Sequence, residues 1–285
     1  VSSPMYSASA RHTSITQAVQ GPLARANQRW RSIAVWLELA RNLAVRDVET
    51  RYKHSFLGLY WAVINPLLTA VIFTFVFQVI FHASSKPIPY VVFLLCNLTF
   101  WNFFANSVSS ATGSITGSAA LLAKLYFPRV VLPTASVFAR LIDFTFSAIV
   151  LVVFILIYHV PVHWTAIWVV PVLLLQILFT LGIAYLVSGM NVLLRDVAQL
   201  IGLVLMIWMY LSPVMYPLTG QPNAIQIVLL MNPMGALLQA CQDLLFVGHL
   251  THPIVLWVAG TWSLFVLLGG IAVFKRIEPS FAEVM

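Results

Sequence analysis

After residue 57 the chain falls into apolar runs separated by short polar breaks. A helix needs about 20 apolar residues to cross a hydrocarbon core of about 30 Å. Six segments reach that length, near 58–81, 90–112, 134–158, 165–189, 197–216 and 253–274, so the pattern predicts an all-α integral membrane fold with six transmembrane helices.

Two stretches break the pattern in informative ways. In "RSIAVWLELARNLAVRDVETRYKH", Ile33, Trp36, Leu37, Ala40 and Ala44 share one helical face and Glu38, Arg41 and Asn42 the other. That is an amphipathic helix lying in the membrane interface. Asp47 with Arg51 and Glu49 with Lys53 add acid-before-base pairs at i, i+4. Amphipathicity alone leaves open whether the helix is only an anchor or also meets a partner.

Between the last two spans, residues 217–250 are apolar, yet the pieces either side of Asn232-Pro233 are each too short to cross a bilayer. They predict two short re-entrant or interfacial helices. Non-helical backbone at such depth survives only inside protein or beside a watery cavity, so this element should cover the outer end of something wet. The expected organisation is a flexible N-terminus over 1–29 and an interfacial helix over 30–54. A six-span helical domain follows over 55–274, with a polar loop over 120–133, then a tail over 275–285.

Composition supports the membrane reading: 61% hydrophobic and only 8% charged residues, against about 25% charged in soluble domains, with a mean hydropathy of +0.94. The net charge of +7 would suggest nucleic acid in a soluble protein. Here the positive-inside rule absorbs it. Thirteen of the fifteen Lys and Arg fall before the first span, in the loop holding Lys124 and Arg129, at Arg195, or after the last span. Lys86 alone faces the other side, and Arg140 stands at a border. Both termini are therefore expected in the cytoplasm and nucleic acid is not expected as a partner. Residues 1–30 lack the apolar centre of a signal peptide.

Enzyme signatures are missing from the chain. It has no G-x-S-x-G, no H-E-x-x-H and no G-x-x-x-x-G-K-[ST]; "GSITGSAA" lacks the lysine that would reach phosphates. His159 and His163, and His249 and His252, sit in loops without further ligands, so no metal site is expected. Cys96 and Cys241 lack any Cys-x-x-Cys spacing and read as small hydrophobes.

Ionisable residues inside spans are few. Arg140 and Asp143 are three residues apart, able to meet on one helix face. They fit either a charge relay or substrate contact, or a self-neutralised pair with a snorkelling Arg. The second span is the most polar, with Asn97, Asn102, Asn106, Ser109, Ser110, Thr112 and Ser114, and Gly113 and Gly117 in a G-x-x-x-G. Helix packing and lining of a polar path both fit it.

Five strings then point one way: "RDVETRYKHSFLGLYWAVINPLL", "AKLYFPRVVLP" with "ARLID" behind it, "SPVMYP", "NPMGALLQACQDLLFVG" and "FKRIEPSFAEVM". Together, from about residue 30 to the end, the chain resembles the permease subunits of polysaccharide-exporting ABC transporters, which move lipid-linked O-antigens, capsular polysaccharides and teichoic acids across bacterial cytoplasmic membranes.

The resemblance implies a homodimer and two separate ATPase subunits that hold ATP and Mg, with no cofactor in this chain. It also implies an undecaprenyl-linked glycan as cargo, surrounding membrane lipids, and a place in the bacterial cytoplasmic membrane. Lys124, Leu125, Tyr126, Phe127, Pro128 and Arg129 would form the surface coupled to the ATPase. Pro128 and Pro133 limit continuous helix there, Tyr126 and Phe127 offer exposed aromatic anchors, and Lys124 and Arg129 suit an acidic partner. Glu278, Phe281 and Glu283 would touch the ATPase or the interfacial helix, a solvated tail being the alternative.

Arg46, Arg51 and Lys53 would meet the lipid pyrophosphate. Tyr60, Trp61, Phe100, Trp101, Phe104, Trp208 and Tyr210 would offer aromatic platforms along a glycan path, with polar contacts from Asn102 and Asn106. Arg140 and Asp143 form the charge pair, and Asn232, Pro233 and Asp243 mark an external gate. Two other readings compete, an ABC permease for a small lipid or drug and a membrane-embedded lipid glycosyl- or acyltransferase. The second would need a clustered acid, base or His that the carboxylates Glu38, Asp47, Glu49 and Asp196 do not form.

Overall fold

The computed structural model describes residues 38–51, 60–80, 82, 88–122, 127–218 and 221–281. The expected N-terminal segment 1–29 and Ile33, Trp36, Leu37, Lys53, Lys86, Lys124, Leu125, Tyr126 and Glu283 lie outside the described residues. Within them every regular element is a helix, as expected where lipid leaves backbone groups no partner outside their own segment. Helix α1 covers 38–51 and α2 Trp61–Thr74, continuing as a π-helix to Ile80. Then come α3 Tyr90–Thr112, the single turn α4 Ala119–Leu122, α5 Val131–Ile157, α6 Val169–Leu193 and α7 Val197–Tyr210. The chain ends with α8 Asn223–Met231, α9 Pro233–Gln242 and α10 Ile254–Ile277.

Among the described residues four helices are long and apolar enough to cross a membrane, or five if the bent α8–α9 pair is counted as one. The protein is a multi-pass membrane protein. Helix α3 is its centre: 83% of its most apolar stretch is buried, against 22–33% in α5, α6 and α10, which face outward over much of their surface. Extensive burial goes with bonded polar side chains on α3: Asn97, Thr99, Ser110 and Thr112 each have a partner inside the bundle. Helices α6 and α10 pair most extensively, at a crossing where Gly182 and Gly270 meet backbone to backbone.

The expected α3 glycine motif does not form a packing face. Helix α3 ends at Thr112, so Gly113 caps it and Gly117 sits in a 3-10 turn, and both have open space where a side chain would go.

Helix α7 also departs from expectation, ending at Tyr210 rather than near 216. Pro213 has no amide hydrogen and disfavours helix at Ser212 before it. The released backbone is caught by α3. Asn97 Nδ2 donates to the carbonyls of Pro213 at 3.2 Å and Val214 at 2.9 Å, and the Tyr90 hydroxyl donates to that of Met215 at 2.6 Å.

The break expected at Asn232-Pro233 is present: α8 and α9 meet there at 107°. Asn232 caps α9 by accepting from the Met234 amide at 3.1 Å, and Pro233 takes the first helical position, where a missing amide hydrogen costs nothing.

Candidate functional site

The amphipathic face read from the sequence brings α1 onto α5. Ala40 and Ala44 are buried, with Ala44 against Ala135 and Ala139, while Glu38, Arg41 and Asn42 are exposed. Small residues on both helices allow the close approach, and it carries the charged end of α1 toward the charged turn of α5.

Arg51 donates to Asp47 on its own helix at 2.5 Å and, across the interface, to Asp143 at 2.6 Å. Arg140 reaches the same Asp143 oxygen at 3.1 Å, and its Nε donates to the Ser110 hydroxyl of α3 at 2.9 Å. The charge pair expected from spacing is thus half of a network that ties α1, α3 and α5. Side chains of Arg51, Arg140 and Asp143 are about one-fifth exposed (23%, 21% and 19%), so their charges depend on one another more than on water. Arg46 has no carboxylate partner among the described residues, which leaves three guanidiniums facing two carboxylates at this junction.

Two cavities meet at the network. One, about 430 Å³, is lined by α2, α3 and α5: Trp61, Asn65 and Thr69, then Asn102 and Asn106, then Asp143 and Ser147. The other, about 400 Å³, lies between α1, the end of α3 and the start of α5, and includes Arg46, Asp47, Thr50, Ser114 and Ser136. Arg51 and Arg140 line both, so the ion pairs stand where the cavities adjoin. The arrangement can hold an anion beside the guanidiniums and offers amide and hydroxyl groups to a hydroxyl-rich chain. Among the described residues no cluster of His, Cys, Asp or Glu suits a metal.

The structure brings Arg46, Arg51, Trp61, Asn102, Asn106, Arg140 and Asp143 together and separates the other expected path residues from them. Phe100, Trp101 and Phe104 are buried in the core. Phe104 stacks on Phe179 and stands edge-on to Trp101 and Trp208; Phe100 stands edge-on to Phe144. They are corrected from platforms to packing residues, because α3 is enclosed on the faces that carry them. Trp208 is half-buried and donates from Nε1 to Asn232 at 2.9 Å. Tyr60 and Tyr210 are exposed and border neither cavity.

At the expected external gate, Asn232 also donates to the Leu211 carbonyl at 3.2 Å and the Ser212 hydroxyl at 2.8 Å. Asp243 is buried and accepts from Gln239 at 2.7 Å and the Thr251 amide at 2.7 Å. Both side chains tie chain segments together. The polar row on α3 serves the two purposes left open: Asn97 is buried and accepts from Gln242 at 2.6 Å, whereas Asn102 and Asn106 line the cavity.

Of the expected coupling residues, Phe127 is half-buried and packs inward, which corrects its reading as an exposed anchor. Pro128 is exposed. Arg129 turns to the tail, donating to the Glu278 carbonyl at 2.8 Å. Pro133 lies within the first turn of α5, which begins at Val131, a position where the missing amide hydrogen is harmless. Phe281 is fully buried, so its ring makes no outward contact; Glu283 lies outside the described residues.

Sequence reading missed the Arg51–Asp143 bond and the Ser110, Asn65, Thr69 and Ser147 contributions. Asn65 and Thr69, one turn apart in an otherwise apolar span, were the available signal.

Residues 38–246 match the family described as ABC-2 type transporter. The chain is 29% identical over 241 residues to the O-antigen export system permease protein RfbA of Klebsiella pneumoniae, covering 84% of this chain and 92% of that protein. It is 29% identical over 244 residues to RfbA of Myxococcus xanthus, covering 85% and 93%. It is 22% identical over 243 residues to the polysialic acid transport protein KpsM of Escherichia coli, covering 84% and 93%.

Proposed function

We propose that this chain, which belongs to the ABC-2 type transporter family, is the permease subunit of an ATP-driven exporter that carries polysaccharide out of the cytoplasm. The observation that carries the reading is similarity over almost the whole length of O-antigen export permeases, 92–93% of each. It is a transporter subunit rather than an enzyme, and ATP is hydrolysed by a partner.

In this reading the protein has six spans, with α2 and α7 as the short ones, and both termini in the cytoplasm. The α8–α9 pair re-enters from the outside, with Asn232, Pro233 and Asp243 holding the outer gate. Two copies enclose the path, and two ATPase subunits, carrying ATP and Mg, dock on Lys124–Arg129. An undecaprenyl-linked glycan enters beside α1, where each basic side chain attracts an anionic headgroup by about 1 kcal/mol. Arg46, Arg51 and Lys53 meet the pyrophosphate, and Asn102, Asn106 and Trp61 meet the sugars that follow. Because Arg51 is held by Asp143, the headgroup competes with a carboxylate for it, and that competition favours a strongly anionic ligand over a neutral lipid.

Depleting the protein in its own host tests the reading. Finished undecaprenyl-linked glycan is expected to accumulate on the cytoplasmic face of the membrane. An unchanged distribution, with no second exporter present, leaves a small lipid or drug as the cargo.

A further inference from the structure

After α10 the chain makes one 3-10 turn, Glu278–Ser280, that folds Phe281 back against the bundle. The ring is fully buried. It stands edge-on to Phe274 with centroids 5.7 Å apart, and Phe274 stands edge-on to Tyr185 of α6 at 6.0 Å. The Tyr185 hydroxyl shares a hydrogen bond of 2.9 Å with Thr134 of α5. Ile115, beyond α3, Leu132 of α5 and Val192 of α6 complete the buried cluster.

The other side of Phe281 is covered from the loop. The Arg129 guanidinium lies 5.5 Å from the ring centroid while donating to the Glu278 carbonyl, and Phe127 and Val130 pack against the same cluster. A cation over an aromatic face, a charge-assisted hydrogen bond and two apolar contacts therefore fasten residues 127–130 to the end of α10.

We infer that Phe281 is a positioning residue that makes residues 127–130 move as one body with α6 and α10. Close-packed interiors transmit displacement instead of absorbing it, and α6 and α10 are locked at their glycine crossing. A push on the loop is thus delivered to the two-helix unit through the ring. Removing the ring takes away the aromatic seat of Arg129 and opens the cluster against which Phe127 and Val130 pack, so the loop is joined to α6 chiefly through the first turn of α5, where Thr134 bonds Tyr185. The inference rests on the proposed docking of this loop on an ATPase.

The test uses the full chain assembled with its ATPase in proteoliposomes, reading glycan exported per ATP hydrolysed. Phe281→Ala is expected to keep ATP hydrolysis within about twofold of wild type while export per ATP falls at least tenfold, and Phe281→Leu to recover most of that ratio. A wild-type ratio in Phe281→Ala, or export and hydrolysis falling to the same fraction, overturns the inference. Should Phe281→Ala not fold, Phe281→Val carries the test with the same expected fall in export per ATP, and a ratio equal to wild type overturns it. If the wild-type assembly exports no glycan, the proposed function fails. The socket is then judged by hydrogen exchange of the chain alone. Amides of 129–132 in Phe281→Ala, or in Phe281→Val if the alanine variant does not fold, are expected to exchange at least tenfold faster with α6 and α10 unchanged. Unaltered exchange at 129–132 overturns the inference.

Discussion

Gly182→Ala and Gly270→Ala are each expected to lower the thermal midpoint of the protein sharply, whereas Gly269→Ala is expected to leave it unchanged. A Cβ at Gly182 would lie 2.5 Å from the carbonyl carbon of Val266 and 2.6 Å from the amide nitrogen of Leu267; one at Gly270 would meet the Gly182 carbonyl oxygen. Every obstructing atom is backbone, so no side-chain rotation relieves the overlap and the helices must separate. Overpacking ordinarily costs about 1–3 kcal/mol and occasionally more. Contacts of this kind fall at or beyond the top of that range, because α6 and α10 form the most extensive helix pair in the fold and close approach is what holds helices together in lipid. For a protein of this size about 3 kcal/mol corresponds to a fall in thermal midpoint of about 6–12 °C. Gly269, one residue away, has nothing within reach of an added methyl. Thermal unfolding of the three variants in one detergent checks the set, and equal behaviour of Gly269→Ala and Gly270→Ala would contradict the crossing geometry.

The second large effect is expected at Asp143. Its Oδ2 accepts from both Arg51 and Arg140, so Asp143→Ala leaves two part-buried guanidiniums facing each other. Removing one partner of a buried ion pair costs about 3–5 kcal/mol. Residual exposure, and Asp47 still holding Arg51, place this case near about 3 kcal/mol or somewhat below. The loss falls on the attachment of α1 to α5, so proteolysis between α1 and α2 should accelerate before the bundle itself unfolds. Asp143→Ala combined with Arg140→Gln is expected to recover part of the loss, because the uncompensated repulsion disappears. A double variant no better than the single one would show that Arg140 is held by Ser110 alone.

Much of the scaffold was legible because it rests on local rules. The buried face of α1 followed from Ala40 and Ala44 at helical spacing, the break at Asn232-Pro233 from flanking pieces too short to cross a bilayer, and the Asp47–Arg51 and Arg140–Asp143 pairs from i, i+4 and i, i+3 distances. What remained hidden depends on separation along the chain. Arg51 and Asp143 are 92 residues apart, and no periodicity links them. Gly113 and Gly117 carry the familiar packing motif yet lie in open space, while Gly182 and Gly270 carry the contact without any local pattern. Gly269-Gly270 looks symmetrical in sequence, and only the direction of α6 distinguishes its two members. Phe281 sits in a tail that reads as touching the ATPase or the interfacial helix, or as solvated, and its burial requires knowing that Arg129 covers it. Phe100, Trp101 and Phe104 misled for the opposite reason: aromatic residues beside asparagines suggest a sugar path, but enclosure of α3 on the faces that carry them turns those rings into core.

The central claim, that this permease exports polysaccharide, is tested most directly by reconstituting the chain with its ATPase in proteoliposomes whose outer face corresponds to the cytoplasm. The measurement is ATP-driven transfer of an undecaprenyl-diphosphate-linked glycan into the lumen, where a glycan-cleaving enzyme is enclosed. Cleavage that requires ATP is expected, and Asp143→Ala should reduce it. ATP hydrolysis without any luminal cleavage of the glycan, in vesicles where the complex is intact, would contradict the account.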